Sequence, residues 1–278
     1  MPAQMIVTVE SRHGRDVPVL NREDFMVYQG KERVQLVDAL PLQGDNADLE
    51  LFLLIDASDW RLGTQLGDLR RFLDAQAAGT AVGIGYMRNG TIDTIAELTK
   101  DHTRAAGALR LPMGASTSPY LSLSDLIRRW PKSSARREVL MVTSGADPLG
   151  GSGITNPYLD AAIEDAQRAG IIVYAIYAPG TGHAGHSYWR MSWGQNYLAE
   201  LADETGGEAY MLGLDAPVSI APYLADITER LTRQYQVTFL TKADSKAALK
   251  PVRITTEVPN TEIVAAGKVY VRAGLTAR

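Results

Sequence analysis

Cysteine is absent from this 278-residue chain. That excludes a disulfide scaffold, a thiolate zinc site, a cysteine nucleophile and a cluster held by thiolates. It leaves the compartment open, since a cysteine-free domain suits oxidising and reducing surroundings alike. A basic excess is also missing: 28 Lys and Arg stand against 32 Asp and Glu, a net charge of −4. A nucleic-acid partner, which calls for a basic face, is not expected. No apolar run reaches membrane-spanning length; the longest, Leu49 to Ala57 and Gly170 to Pro179, have the length of strands. Met1 to Met5 shows neither a basic nor an apolar leader segment, so the sequence reads as a mature or trimmed chain or as a cytosolic one. Nucleotide-loop, zinc-protease and nucleophile-elbow motifs are missing too. What is present, 45% hydrophobic and 22% charged residues, is an ordinary globular balance.

The first forty residues read as strands, with alternation over Met5 to Val9, Asp24 to Tyr28 and Arg33 to Ala39. A polar break, Gln43 to Asp48, reads as a boundary. From Leu49 strands and helices alternate. Leu49 to Ile55, Ala81 to Met87, Arg137 to Thr143 and Ile171 to Tyr177 are nearly continuous apolar strands of the kind buried on both faces. Asn89-Gly90 predicts a tight hairpin to an antiparallel strand, Thr91 to Leu98. Helices are expected at Leu62 to Leu73, at Ser118-Pro119 to Arg129 with Ser118 as cap, and after Asn156-Pro157 until Gly170. Further helices are expected from Trp193 to Thr205 and from a cap at Asp215 to Arg233, with a short strand at Glu208 to Leu212 between them. The tail returns to strands at Tyr235 to Thr241, Val252 to Glu257 and Lys268 to Arg272.

This order predicts an α/β doubly wound domain with a mainly parallel sheet over 47–233. Residues 1–46 and 234–278 are each too small for a core of their own, so they are expected to share one small β-sandwich.

In such a sheet ligands sit beyond the carboxyl ends of the strands. Three segments end there: Asp56-Ala-Ser58-Asp59-Trp60, Gly114-Ala-Ser-Thr117-Ser118-Pro119 and Thr143-Ser144-Gly145-Ala-Asp147. In this order they resemble a von Willebrand factor type A domain. Asp24-Phe25, Val27-Tyr28 and Gly30-Lys31, with Tyr235-Gln-Val, Val252-Arg-Ile-Thr and Val271-Arg-Ala-Gly274, are similar to the flanks of the acidobacterial type A-related subgroup. The resemblance covers almost the whole chain. It implies a Rossmann-like fold, protein binding or cell adhesion without enzymatic activity, and a secreted or periplasmic location, with a cytosolic one still open. It also implies a metal-ion-dependent adhesion site for Mg²⁺ or Ca²⁺, drawn from Asp56, Ser58, Thr117 and Asp147. That site is degenerate: Trp60 stands where a second serine is expected and Ser144 where an aspartate is expected. With a carboxylate and a hydroxyl lost, either Asp56 and Ser58 serve as loop caps or a divergent metal site persists.

A second cluster, His183-Ala-Gly-His186-Ser-Tyr188-Trp189-Arg-Met-Ser-Trp193, reads as an aromatic loop at the same edge. Tyr188, Trp189 and Trp193, with Trp60, are candidates for a protein-partner surface; folding back as a local plug is the alternative. His183 and His186 lack a third zinc ligand nearby. A hydrolase using either of them with Ser187 or Ser152 has no orienting group in sight. The basic run from Arg128 to Arg137 reads as the solvated end of a helix.

Overall fold

The computed structural model describes the chain except residues 15, 59–62, 64, 112–115, 151, 152, 154, 180–187, 212–217, 243–245 and 274–278, and for residues 45, 188 and 190 the backbone alone. Alternation at the start produces β1 (Pro2–Ser11), which buries Ala3, Met5, Val7 and Val9 on one face. β2 (Met26–Gln29), β3 (Glu32–Val34) and β4 (Leu36–Pro41) follow. The continuous apolar run then forms β5 (Leu49–Asp56), leading to α1 (Leu66–Asp74). β6 (Thr80–Arg88) turns at Asn89 (φ 50°) and Gly90 (φ 74°) into β7 (Thr91–Thr99). These paired left-handed residues are what a tight hairpin of this hand requires. Next come α2 (His102–Ala108), α3 (Pro119–Arg129), β8 (Arg136–Thr143), α4 (Pro157–Ala169) and β9 (Ile171–Tyr177). α5 (Tyr188–Thr205), β10 (Ala209–Tyr210) and α6 (Ala221–Thr232) complete the alternating block. The tail is β11 (Gln234–Leu240), β12 (Ala248–Pro251), β13 (Arg253–Thr255), β14 (Thr261–Ala265) and β15 (Lys268–Val271).

The central sheet runs β10-β9-β8-β5-β6-β7, parallel except for β7. It is covered on both faces. Leu53, Ile55, Leu140 and Ile176 face α1, α2 and α6, while Phe52, Leu54, Met141 and Val173 face α3, α4 and α5. Burial on both sides explains why these strands read as unbroken apolar runs.

Both ends of the chain meet in one sheet, ordered β14-β1-β11-β4, so β1 lies antiparallel between two strands more than 220 residues away in sequence. Its inner residues share a core with Phe25, Val27, Val237, Phe239, Ile254 and Val269. The outer face of this sheet meets the α/β block. There Arg230 of α6 pairs with Glu10 of β1, with Glu208 at 3.2 Å and with Asp226 at 2.9 Å. Beside it Glu138 of β8 is fully buried, 3.9 Å from the Arg136 guanidinium, under Gln234 and Tyr174.

Three local expectations are corrected. α5 begins at Tyr188, five residues before the expected start at Trp193, so Trp189 stands on a helix rather than in a loop. Ser118 precedes α3, but its hydroxyl makes no capping bond. α6 is capped at Ile220, not at Asp215, which lies outside the described residues.

Candidate functional site

Asp56 closes β5 with its carboxylate buried. One oxygen, Oδ1, accepts the Ser58 backbone N–H at 2.9 Å and the Ser58 hydroxyl at 2.6 Å. The other, Oδ2, accepts the Thr143 hydroxyl at 2.8 Å from the end of neighbouring β8. Thr143 Oγ1 in turn accepts the Gly145 N–H at 3.2 Å. Two adjacent strand ends are thereby tied side chain to side chain.

Gly145 has φ +67° and lies against Gly194 of α5. A Cβ on Gly194 would stand 2.2 Å from the Ser144 carbonyl, and one on Gly145 would stand 2.3 Å from the Gly194 carbonyl. Only two glycines allow this backbone-to-backbone approach. The Gly145 carbonyl accepts the buried Tyr120 hydroxyl at 2.8 Å. Burial pushes that phenol well up, and the Asp147 charge adds to the effect.

Asp147 is buried and already committed. It accepts the Leu149 N–H at 3.0 Å and the Asn156 side-chain amide at 3.3 Å, while Asn156 caps α4. Thr117 is buried just before α3, and the carbonyl of its neighbour Ser116 accepts the Asn89 N–H at 2.8 Å, pinning that segment to the β6–β7 turn. Ser118 Oγ is buried without a hydrogen-bond partner among the described residues. The structure therefore brings Asp56, Ser58, Thr117 and Asp147 to one edge, with direct contact between Asp56 and Ser58. Trp60, His183, His186, Ser187 and Ser152 lie outside the described residues. Tyr188 contributes its backbone to the first turn of α5. Trp189 is 67% exposed, and Trp193 is half-buried against the α3–α5 core.

Sequence reading missed a clamp on this edge. Asp68, in the first turn of α1, accepts the Ser219 hydroxyl at 2.7 Å and the Ile220 N–H at 2.9 Å, and pairs with Arg71. Desolvation pulls its carboxyl up, but these hydrogen bonds and the Arg71 charge outweigh it and hold it below the ordinary range. An acid in a first helical turn was the available signal.

No protein-family profile matches the sequence, and no curated protein matches it. Solved structures do. The pilus adhesin SpaC from Lactobacillus rhamnosus GG, in its open conformation, aligns over 89% of this chain at 12% identity with a TM-score of 0.51. The fold of this chain is von Willebrand factor type A-like. A von Willebrand factor type A structure from Catenulispora acidiphila aligns over 99% of this chain and 74% of its own, at 11% identity and TM-score 0.49. The type A domain of the Porphyromonas gingivalis pilus tip protein Mfa5 aligns over 65% of this chain and 94% of its own, at 11% identity and TM-score 0.47. The chain spans about half the length of SpaC, 47%.

The resemblance to type A domains implies a divalent cation at this edge, and the donors present can be compared with what such an ion needs. Mg²⁺ takes about six oxygens near 2.1 Å, with charge from one or two carboxylates. Here Asp56 has both oxygens engaged, Ser144 offers a hydroxyl in place of a carboxylate, and Asp147 is turned to Asn156 and Leu149. Among the described residues no three His, Asp or Glu side chains converge in a way that would hold a metal. These residues do not fit a tightly held divalent ion.

Proposed function

We propose that the chain is a non-enzymatic protein-recognition or adhesion module that engages its partner through the carboxyl-edge loops of the type A sheet, without an essential metal. In this reading residues 47–233 form the binding domain and 1–46 with 234–278 form its β-sandwich base. The observation that carries it is Trp189, 67% exposed in the first turn of α5 at the carboxyl edge. Of the ten large apolar side chains exposed among the described residues, five (Leu111, Leu149, Trp189, Met211 and Val218) follow the carboxyl ends of sheet strands or the helices that return there, and five (Met1, Val19, Val37, Leu40 and Leu240) lie on or beside the terminal sheet. An exposed tryptophan with apolar neighbours is a preferred interaction anchor. The degenerate donor set agrees with this: the hydroxyl and carboxylate groups at Asp56, Ser58 and Thr143 bond one another and brace the loops. Likeness to a pilus adhesin supports an exported, secreted or periplasmic location.

The test is peptide-display panning on the folded protein in the presence of a chelator. Selected peptides are expected to lose binding to Trp189→Ala and Leu149→Ser, and to keep it to Val19→Ser on the sandwich. Peptides insensitive to the edge variants would refute the surface. Binding that needs Mg²⁺, together with a Mg²⁺-dependent rise in melting temperature abolished by Asp56→Ala, would instead establish metal-dependent adhesion through a divergent site.

A further inference from the structure

At the amino edge of the central sheet, where β5, β8 and β9 begin, a cleft of about 400 Å³ lies between the α/β block and the outer face of the terminal sheet. One wall is a row across that sheet. Ile6 of β1, Gln236 of β11 and Leu40 of β4 stand opposite one another in register, with Leu42 just beyond β4. The facing wall is the segment that enters β8, where Arg136 and Arg137 close the basic run.

The two arginines differ. Arg137 is engaged, donating to the Ala169 carbonyl at the end of α4. Arg136 is not. Its side chain is only 6% exposed, yet none of its nitrogens has a hydrogen-bond acceptor among the described residues. The Glu138 carboxylate beside it stands 3.9 Å from Nε, beyond hydrogen-bond reach. Nε and Nη1 are sealed from solvent; Nη2 is not, so it is the nitrogen that a ligand in the cleft meets. A guanidinium carries five N–H donors, and burying a cation with its donors unpaired is costly. An anionic acceptor at Nη2 recovers part of that cost through a charge-assisted hydrogen bond.

The surroundings restrict which anion suits. Asp48 on the rim and buried Glu138 already bring negative charge, so a dianion would meet repulsion that a monoanion largely escapes. One reachable nitrogen also serves a single oxygen rather than a fork. Ile6, Leu40 and Leu42 offer apolar surface, which rewards a ligand that carries methylene or methyl groups. A cleft between two units of a fold is a usual place for a small ligand, and this volume is in the usual range.

We infer that this cleft binds a carboxylate carrying a short aliphatic chain, one carboxylate oxygen on Arg136 Nη2 and the chain on Ile6, Leu40 and Leu42. That chemistry is offered by a free fatty acid and by the C-terminus of a peptide ending in an apolar residue.

The experiment is an amide-resolved NMR titration of the full chain with hexanoate, with acetyl-glycyl-leucine, with the C-terminal amide of that peptide, and with inorganic phosphate. Saturable shifts of the Arg136 backbone amide and the Gln236 side-chain amide are expected with the two carboxylates, and the tighter of them identifies the source. Arg136→Met alone strands Glu138, so the double variant Arg136→Met, Glu138→Gln is used; it should keep the melting temperature and weaken binding at least about tenfold. Leu40→Ser, on an exposed position of the wall, should weaken it about threefold. Glu97→Gln on distant β7 should leave it unchanged. Equal binding of the peptide amide, tighter binding of phosphate, no saturable shift with either carboxylate, or binding indifferent to both cleft variants would each overturn the inference. The cleft lies at the opposite end of the strands from the recognition edge, so the two readings stand or fall separately.

Discussion

Arg230 offers the sharpest test of how the terminal sheet is fastened to the α/β block. Its side chain is 13% exposed and it meets three carboxylates, from β1, from the segment before β10 and from its own helix. Glu208 and Asp226 are 42% and 45% exposed, so water screens them and their pairs contribute little. Glu10 is 22% exposed and crosses between the two units, so most of the loss on Arg230→Met falls on it. Breaking a buried pair by removing one partner costs about 3–5 kcal/mol, and partial exposure reduces that here to about 2–3 kcal/mol. Burial already pushes the Glu10 carboxyl up while Arg230 pulls it down, with Glu208, Asp226 and Glu262 adding to the rise. Without the arginine its folded value rises further. A raised carboxylate favours the folded state below its unfolded pKa, and that advantage fades as pH rises through the folded value. The Arg230→Met deficit should therefore be largest at neutral pH and shrink toward pH about 4, near the unfolded value. Glu10→Gln in the Arg230→Met background should recover about 1–2 kcal/mol. Urea denaturation followed by circular dichroism at several pH values measures all three variants. A single-variant loss below about 0.5 kcal/mol, in the range of ordinary surface substitutions, or strict additivity of the two changes, would refute the reasoning.

Further outcomes are expected. Burial pushes the Glu138 carboxyl up, with Arg136 opposing, so wild-type stability should decline as pH rises from the unfolded carboxylate value through the folded one; Glu138→Gln should flatten that decline in a denaturation series, and an unchanged slope would count against it. Gly194→Ala forces a methyl onto the Ser144 carbonyl and should cost about 1–3 kcal/mol and shift the Trp193 indole resonance; a melting curve like the wild type would show that the helix can retreat. Ending the chain before Lys242 removes β14 from beside β1 and takes Val252, Ile254, Val269 and Val271 out of the shared core, so amides of residues 2–11 should lose exchange protection. Persistent protection there would mean that the two ends do not depend on each other.

Much of this architecture is legible in residue order. Strands buried on both faces announce themselves as apolar runs, and Asn89-Gly90, Asn156-Pro157 and Gly170 each fix a turn or a helix end through local backbone chemistry. What escapes is short or long-range. α2 spans only His102–Ala108, a small-residue stretch with too little periodicity to register. β14 lies between loops and gains its place from pairing with β1. At the edge, Asp56 and Ser58 are readable because their roles are local. The bond from Thr143 to Asp56, the Gly145–Gly194 approach and the Asp68 clamp on Ile220 join residues 49 to 152 positions apart and leave no mark on local pattern. The start of α5 reads late in the sequence for a related reason: the segment before Trp193 reads as a loop by composition, yet the four-residue separation of Trp189 and Trp193 also suits a helix.

The pairing of β4 with β11 has a mechanical corollary. Pro41 and Tyr235 oppose each other in register, so the chain leaves the terminal sheet and re-enters it at neighbouring points. Pro2 lies opposite Leu240, so a pull on the chain-terminal sides of β1 and β11 acts at one end of their antiparallel ladder and opens its backbone hydrogen bonds in turn from Pro2 toward Thr8. The intervening α/β block hangs beside that line of force rather than within it. A recognition edge carried there would keep its shape under a pull that strains its base.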